Sequence, residues 1–437
     1  MFSGASFELD PVNVKWKTTQ KEHPGKNATS KDIELQSTIG RITLRKSYWT
    51  SYANEVLEGV CTQIHLDSKP TPAPNDVRFR CIIYMDAKSD LTLPHFIEDE
   101  TTWAASHWLP LRAGGKQLDF YYLEKQKWLV FDAPPGIAIE EFRKLTGAAR
   151  MLLSYLLGVR FDERSCELAL SLDLKTVYEA WWYPGRKRVA SGYCPIPSSW
   201  GHWASAKLQI SIPQSMRCLD DVVLSTLWGN LLTWPALSVP IEYLLMFPSA
   251  PVEMRGAMLS VALESLTSSI TEKVKIPTPK PLGVSIWKNY RQILIDYLEA
   301  AFKNSLVKRM IHSLEEHGGA WEVSTKKILT NRINDLNKPT NRAKLTAPFH
   351  HYGIPTTEQD EKAIGTRNDF LHRGRLLNEK ARMENDSWRD VYYTEMRIYT
   401  LTNRLLLAAL EYEGPMINWG ETQLGTGEFQ YLYHSKK

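Results

Sequence analysis

The sequence predicts an α+β fold, in which an N-terminal β-rich domain with one or two helices precedes an all-helical bundle. Short apolar segments, separated by polar and proline-rich stretches, fill the first half of the chain. One run of helical periodicity interrupts them, and no strand pattern appears between residues 216 and 412. A length of 437 residues exceeds one ordinary domain. We therefore expect two domains, residues 1–212 and residues 213–437.

Strands account for most of the predicted first domain. The predicted strands are residues 7–16, 33–44, 77–85, 118–123, 127–131 and 168–178. Residues 139–157 predict a helix, because their apolar side chains recur at helical spacing and the run ends at Gly158. Residues 181–185, Trp-Trp-Tyr-Pro-Gly, predict a turn.

Helices account for the predicted second domain. The predicted helical segments are residues 219–245, 251–273, 287–302, 323–336, 358–372 and 390–411. A proline-rich linker occupies residues 275–281, and residues 337–357 are expected to be a loop. Residues 222–241 carry no charge and are long enough to span a bilayer, but the break at Trp234-Pro235 favours two short buried helices.

Composition restricts the function only loosely. A net charge of +4 permits a nucleic-acid partner without arguing for one. The five cysteines are scattered and never spaced as Cys-x-x-Cys, which indicates free thiols in a reducing compartment. The first residues lack a secretory pattern, so we expect a cytoplasmic protein without a membrane anchor. No motif for a metal or another cofactor is present, and none is expected.

The segment with the clearest chemical content reads Arg367-Asn368-Asp369-Phe370-Leu371-His372-Arg373-Gly374-Arg375. Asn368 and His372 are four residues apart and share a helix face, whereas Arg367 lies about 140° from His372 around an ideal helix axis. Its long side chain can still extend towards that edge. Arg373 and Arg375 add positive charge beside the motif.

These side chains have the chemistry that RNA transesterification requires. A base must remove the proton of the ribose 2′-hydroxyl, an acid must protonate the leaving 5′-oxygen, and an imidazole serves either role near neutrality. A guanidinium stabilises the negative charge that develops on the phosphorane. The opposing interpretation is a solvated helix end, with Arg367 paired to Asp360 or Asp369 and His372 near the helix C-terminus.

The pattern Arg-Asn-x-x-x-His, near the end of a helical bundle and before one more long helix, resembles the HEPN superfamily. Residues 262–266, Ala-Leu-Glu-Ser-Leu, resemble an early helix of the Apea-like HEPN domains. The resemblance extends over residues 254–412. It implies a metal-independent endoribonuclease that acts as a homodimer or higher homo-oligomer on RNA, such as a tRNA, in a composite cleft. Arg367 and His372 would be catalytic, Asn368 would assist, and Arg373 and Arg375 would bind RNA.

The same resemblance implies a role in abortive-infection defence, with a phage-derived trigger sensed by the N-terminal domain. The alternative is a non-catalytic RNA-binding or dimerisation module with a ligand-sensing N-terminal domain. Glu264 is interpreted either as a core residue with a local partner or as a group that reaches the cleft.

Weaker candidates come from other polar and aromatic clusters. His95 and His107 flank the acidic run 98–100, but their spacing matches no metal-ligand geometry and favours a solvated loop. His350-His351 is also expected in a loop. A carbohydrate- or peptide-binding N-terminal domain would rest on five tryptophans, at positions 103, 108, 128, 181 and 182. Such side chains are more often core than binding platform.

Overall fold

A computed structural model gives the fold for part of the chain. It describes residues 14–17, 31–37, 40–53, 56–60, 63–67, 73–84, 95–99, 104–123, 128–158, 161, 165–183, 193–196, 221–277, 282–304, 309, 321–338, 340–373, 385–422 and 430–434. Within these ranges an N-terminal antiparallel sheet with one helix precedes a mainly helical C-terminal region. The predicted α+β class is confirmed.

Twelve antiparallel strands form the N-terminal sheet. They are β1 (Val14–Lys17), β2 (Lys31–Ser37), β3 (Gly40–Ala53), β4 (Val56–Val60), β5 (Gln63–Asp67), β6 (Val77–Tyr84), β7 (His95–Asp99), β8 (Ala104–Ala113), β9 (Lys116–Leu123), β10 (Trp128–Asp132), β11 (Ser165–Ser171) and β12 (Val177–Tyr183). Their order is β1-β4-β3-β5-β12-β11-β6-β10-β9-β8-β7, and β2 pairs with β3. The predicted strands over residues 118–123 and 127–131 correspond to β9 and β10, which pair antiparallel.

Nine α-helices follow or interrupt these strands in the described part of the chain. They are α1 (Ile139–Leu157), α2 (Asp221–Thr233), α3 (Ser238–Met246), α4 (Val252–Val274), α5 (Val284–Lys303), α6 (Trp321–Asp335), α7 (Asn341–His351), α8 (Glu358–Arg373) and α9 (Asn385–Ala409). Helix α1 has the predicted bounds, and Gly158 ends it in the left-handed conformation with a φ of 62°.

Helix α1 packs against the sheet through its apolar side. The Phe142 ring stacks on Phe79 of β6 with ring centroids 5.6 Å apart. Trp228 of α2 is buried, and its indole nitrogen donates a hydrogen bond to the carbonyl oxygen of Leu145 at 3.2 Å. The core therefore joins the sheet, α1 and α2.

Helices α2 and α3 account for the uncharged segment of the sequence. The chain breaks between them at a short 3-10 turn, Pro235–Leu237, as predicted. Among the described helices, none alone is both long and apolar enough to cross a membrane. Helix α2 and the residues from Pro235 to Ser249 have the required length and composition only together, and they are bent by 101° relative to each other. Many apolar side chains of this pair are buried, including Leu227, Ile241 and Leu244.

The contacts divide the chain into two units, residues 1–266 with 366–437, and residues 267–365. This division differs from the predicted boundary after residue 212, because late helix α9 packs with the early part of the chain. The buried Tyr155 hydroxyl of α1 donates a hydrogen bond to Asn403 of α9 at 2.8 Å. The domain boundary drawn from the sequence stays a prediction.

Several local predictions were wrong for identifiable reasons. Residues 168–178 are not one strand, because a turn closed by the Ser171 hydroxyl and Asp173 separates β11 from β12. Residues Trp181 to Tyr183 belong to β12 and not to a turn. The expected loop 337–357 contains α7, whose N-terminus is capped by the Thr340 hydroxyl accepting from the Ala343 nitrogen at 3.1 Å.

The C-terminal region is also not purely helical. An antiparallel hairpin of β13 (Gly414–Ile417) and β14 (Tyr431–His434) follows α9. The Ile417 nitrogen bonds to the Pro195 carbonyl oxygen at 2.9 Å, and the Trp419 indole bonds to the Cys194 carbonyl oxygen at 2.8 Å. This hairpin lies outside the helical periodicity that the sequence prediction used.

Candidate active site

Helix α8 carries the motif that the sequence singled out. At its first turn, the Thr357 nitrogen donates to the Asp360 carboxylate at 2.8 Å, and the Asp360 nitrogen donates to the Thr357 hydroxyl at 3.2 Å. This reciprocal arrangement is a capping box, and it fixes where the helix begins. An ion pair between Arg342 of α7 and Glu361 also anchors the first turns.

The motif occupies the last turns of α8. The backbone of Arg367, Asn368, His372 and Arg373 is helical, which agrees with the predicted helix over residues 358–372. Asn368 and His372 therefore lie one turn apart on one face. The side chains of these four residues lie outside the described part of the structure. Arg375 lies outside the described residues altogether.

The opposing interpretation of the motif paired Arg367 with Asp360 or Asp369, and the side chain of Asp369 lies outside the described part of the structure. The Asp360 carboxylate takes part in the capping box at the start of α8, seven residues before Arg367, and Asp360 is 6% exposed. Helix geometry places residues i and i+7 on one side of a helix but about 10 Å apart along its axis. The backbone positions therefore do not favour an Arg367–Asp360 pair.

Helix α9, the long helix after the motif, is held firmly by its neighbours. Within α9, the hydroxyls of Thr400 and Thr402 bond to carbonyl oxygens four residues earlier. Thr400 also accepts a hydrogen bond from the Gly420 nitrogen at 3.1 Å, and Arg397 pairs with Glu421 at 2.5 Å. These bonds link α9 to the segment that follows it, at Gly420 and Glu421.

A buried carboxylate on α9 was not predicted from the sequence. Glu395 is 1% exposed. Burial raises its pKa from 4.5 to about 7, although the Arg255 charge and the Gly256 backbone N–H of α4 act in the opposite direction. A single Glu in a helix gives no sequence signal of burial, because its neighbours on α4 are remote in the chain.

We expect Glu395→Gln to stabilise the protein at pH 8. The folded state holds the Glu395 proton more tightly than the unfolded state, so stability falls as pH rises from about 4.5 to about 7 and stays low above that range. The shift corresponds to roughly 3 kcal/mol at pH 8. Urea unfolding at pH 4.5 and pH 8 measures the free energy of unfolding of the variant and of the unaltered chain. The stability gained by Glu395→Gln should vanish at pH 4.5.

The control for this measurement is Glu242→Gln, at an exposed position on α3. It should change stability by less than about 0.5 kcal/mol at both pH values. An equal effect of Glu395→Gln at pH 4.5 and pH 8 would contradict the raised pKa.

Glu264 occupies the middle of α4, within the Ala-Leu-Glu-Ser-Leu stretch. It is half-buried, and its neighbours Ala262, Leu263 and Leu266 are buried. The burial of these three neighbours agrees with the predicted position of Glu264 beside a helical core. Its proximity to the motif stays a prediction.

A cleft of about 730 Å³ lies among the β8–β9 hairpin, α1 and α2. Its charged lining is Arg112, Lys116, Glu141, Lys144 and Asp221. Arg112 pairs with Asp119 at 2.6 Å, and Lys116 pairs with Glu141 at 2.7 Å and lowers the pKa of that carboxyl. This cleft was not predictable from local sequence patterns, because the β8–β9 hairpin, α1 and α2 form it together.

The floor of the cleft is fixed by a close helix–strand approach. A Cβ atom at Gly229 of α2 would lie 2.6 Å from the Cβ of Ala113 on β8. The Arg112 backbone nitrogen also donates to the Ser225 hydroxyl of α2 at 3.0 Å. Small side chains at this crossing therefore set the distance between α2 and the sheet.

Of the tryptophans proposed as a binding platform, Trp181 is buried, whereas Trp108, Trp128 and Trp182 are half-buried. The Trp181 ring stacks on His65, with centroids 5.3 Å apart, and Arg143 lies 5.1 Å from its centroid. Arg143 also donates to Glu167 at 2.8 Å. Trp103 lies outside the described residues.

The two histidine clusters occupy regular elements. His95 begins β7, with Glu98 and Asp99 further along the same strand, and His107 lies on β8 opposite Phe96. The prediction of a solvated loop there was wrong for these residues. His350 and His351 close α7 instead of lying in a loop. No group of three or more metal-binding side chains occurs within the ranges given above.

The comparisons with known proteins add no family assignment. No family model, no curated protein and no solved structure matches the chain. The resemblance to the HEPN superfamily therefore rests on the residues of the motif and their position before α9.

Proposed function

We propose that this protein is a metal-independent endoribonuclease that cleaves RNA through Arg367 and His372. The observation that carries the proposal is the position of Arg-Asn-x-x-x-His in the last turns of α8, directly before the long helix α9. A helix holds Asn368 and His372 on one face, one turn apart. Active-site groups on a rigid helix keep their geometry better than groups on a loop.

The proposed reaction is an intramolecular transesterification. The ribose O2′ attacks the adjacent phosphorus, and the P–O5′ bond breaks. One His372 removes the 2′-hydroxyl proton, and a second imidazole donates a proton to the leaving O5′. Arg367 binds the phosphoryl oxygens that gain charge in the transition state. The products are a 2′,3′-cyclic phosphate and a 5′-hydroxyl.

Two copies of the chain contribute to the proposed site. A two-fold axis would bring two motifs together, so that one imidazole acts as base and the other as acid. Asn368 would orient the groups, and Arg373 with Arg375 would bind neighbouring phosphates of the RNA. The substrate class is single-stranded RNA or an RNA loop such as that of a tRNA, because in-line attack requires a free ribose conformation.

The N-terminal sheet region is proposed to sense a phage-derived trigger in abortive-infection defence. The cleft beside the β8–β9 hairpin supports this part of the proposal, because it has the volume of a small-ligand site. Helix α9 contacts α1 through Tyr155 and Asn403. The full chain, and not an isolated C-terminal half, is therefore the correct protein for every test.

The test incubates the purified full chain with end-labelled bacterial tRNA in the presence of EDTA, with and without a nuclease-inactivated extract of phage-infected cells that supplies the trigger. We expect cleavage products that end in 2′,3′-cyclic phosphate and 5′-hydroxyl groups. A matched RNA with 2′-O-methyl groups at the cleaved positions should resist cleavage, because it lacks the nucleophile. RNA binding without cleavage would favour the non-catalytic alternative, and 5′-phosphate products would exclude the proposed reaction.

A further inference from the structure

Helix α5 carries apolar side chains that its neighbour α6 does not cover. Four large side chains on one side of α5 are exposed, namely Ile286 at 51%, Tyr290 at 56%, Ile293 at 48% and Tyr297 at 73%. Their spacing of four, three and four residues aligns them along a single face. We refer to these four residues as the α5 stripe.

The stripe faces away from α6. Arg291 of α5 donates to Asn334 of α6 at 2.6 Å, and Glu299 of α5 pairs with Lys326 of α6 at 3.4 Å. These two contacts show that the helices run antiparallel. At 100° per residue, the stripe lies on the side of α5 opposite Arg291 and Glu299. Packing of α5 on α6 therefore leaves the stripe open.

We infer that the α5 stripe is a self-association surface, on which a second copy of this chain packs its own α5 antiparallel. The stripe reads Ile-Tyr-Ile-Tyr along the helix. In an antiparallel pair centred between Tyr290 and Ile293, each isoleucine meets a tyrosine of the other copy. Large and smaller side chains then alternate across the two-fold axis, so the surface is complementary to itself.

The size of the stripe fits this occupant. Four such half-exposed or more exposed side chains present on the order of 500 Å² of apolar surface, at the upper range for a monomer. A standard interface buries about 800 Å² per partner, of which a little over half is apolar. The stripe alone therefore supplies roughly the apolar area that one side of a stable dimer needs.

The inference extends the proposed function, on which its biological meaning rests, because that function needs two copies. Its test is molecular mass by light scattering on the full chain, whose monomer mass is 50.1 kDa. We expect a dimer for the unaltered chain at micromolar concentration. Ile293→Glu and Tyr290→Lys should each weaken dimerisation at least 100-fold, and an equimolar mixture of the two should restore a dimer, because residue 293 of one copy then meets residue 290 of the other.

The matched control is Ile328→Glu on α6, where the side chain is 58% exposed and lies off the stripe. It should leave the dimer intact. A monomeric unaltered chain, a dimer that tolerates Ile293→Glu, or a mixture of the two charged variants that stays monomeric would each overturn the inference. Far-UV circular dichroism checks folding, and Tyr297→Glu replaces any variant that unfolds.

Mass and cleavage are read separately, so the two proposals fail in distinguishable ways. If the dimer depends on the stripe but the protein cleaves no RNA, the α5 stripe remains the dimer surface and the proposed nuclease activity is wrong. If the protein cleaves RNA but the stripe variants leave its molecular mass unchanged, the nuclease activity stands and the stripe is not the dimer surface.

Discussion

His372→Ala is expected to lower the rate of RNA cleavage by about 10²–10⁴-fold, the usual contribution of a positioned acid or base. The substitution removes the imidazole from the C-terminal end of α8, where a change to alanine keeps helical propensity. Folding should therefore be preserved. Initial rates on labelled tRNA measure the loss, and phage plating on cells that produce the variant measures the loss of protection.

The matched control for this variant is His350→Ala, at an exposed position near the end of α7. It removes the same side chain from another helix C-terminus and should leave the cleavage rate unchanged. Arg367→Lys should give an intermediate rate, because an ammonium keeps the charge but loses the bidentate contact. Equal rates for His372→Ala and the unaltered chain would end the proposal that His372 is catalytic.

Trp228→Ala is expected to destabilise the fold by about 3–5 kcal/mol, the range for a buried aromatic residue replaced by alanine. Trp228 is fully buried, and its indole nitrogen bonds to Leu145 of α1. The alanine variant therefore opens a cavity where α2 meets α1 and loses one buried hydrogen bond. Urea unfolding of the full chain measures the change.

Two further variants separate the causes of that loss. Trp228→Phe keeps most of the ring volume but lacks the N–H donor, so its effect should be smaller than that of Trp228→Ala. Val222→Ala on the same helix, where Val222 is 73% exposed, should change stability by less than about 0.5 kcal/mol. A change below about 1 kcal/mol for Trp228→Ala would show that the α1–α2 contact contributes little.

Elements with a strong local pattern were predictable from the sequence. Helix α1 combines apolar periodicity with a terminal glycine, and both signals are local. The break between α2 and α3 was also predictable, because Pro235 cannot continue the preceding helix. The position of the motif on a helix followed from the same kind of evidence.

Features that depend on distant parts of the chain were missed. The burial of Glu395 depends on α4, and the cleft beside Arg112 depends on α1 and α2. The turn between β11 and β12 contains Leu172 and Leu174, whose apolar side chains continue the strand pattern. Leu174 adopts a φ of 61°, which is unusual for a residue with a side chain.

The sequence predicted helix α5 but not which of its faces is exposed. Periodicity predicted an amphipathic helix over residues 287–302, and α5 spans Val284–Lys303. A pattern of apolar residues says that a face will be covered but not by what. Only the contacts with α6 show which half of that apolar surface remains open.

The bond between Tyr155 and Asn403 has a consequence for how the protein is made. A nascent chain leaves the ribosome from its N-terminus, so the sheet and α1 emerge long before α9. Until Asn403 has emerged, the buried Tyr155 hydroxyl lacks its native acceptor. This part of the N-terminal core therefore completes its native hydrogen bonding only after the C-terminal part of the chain has been synthesised.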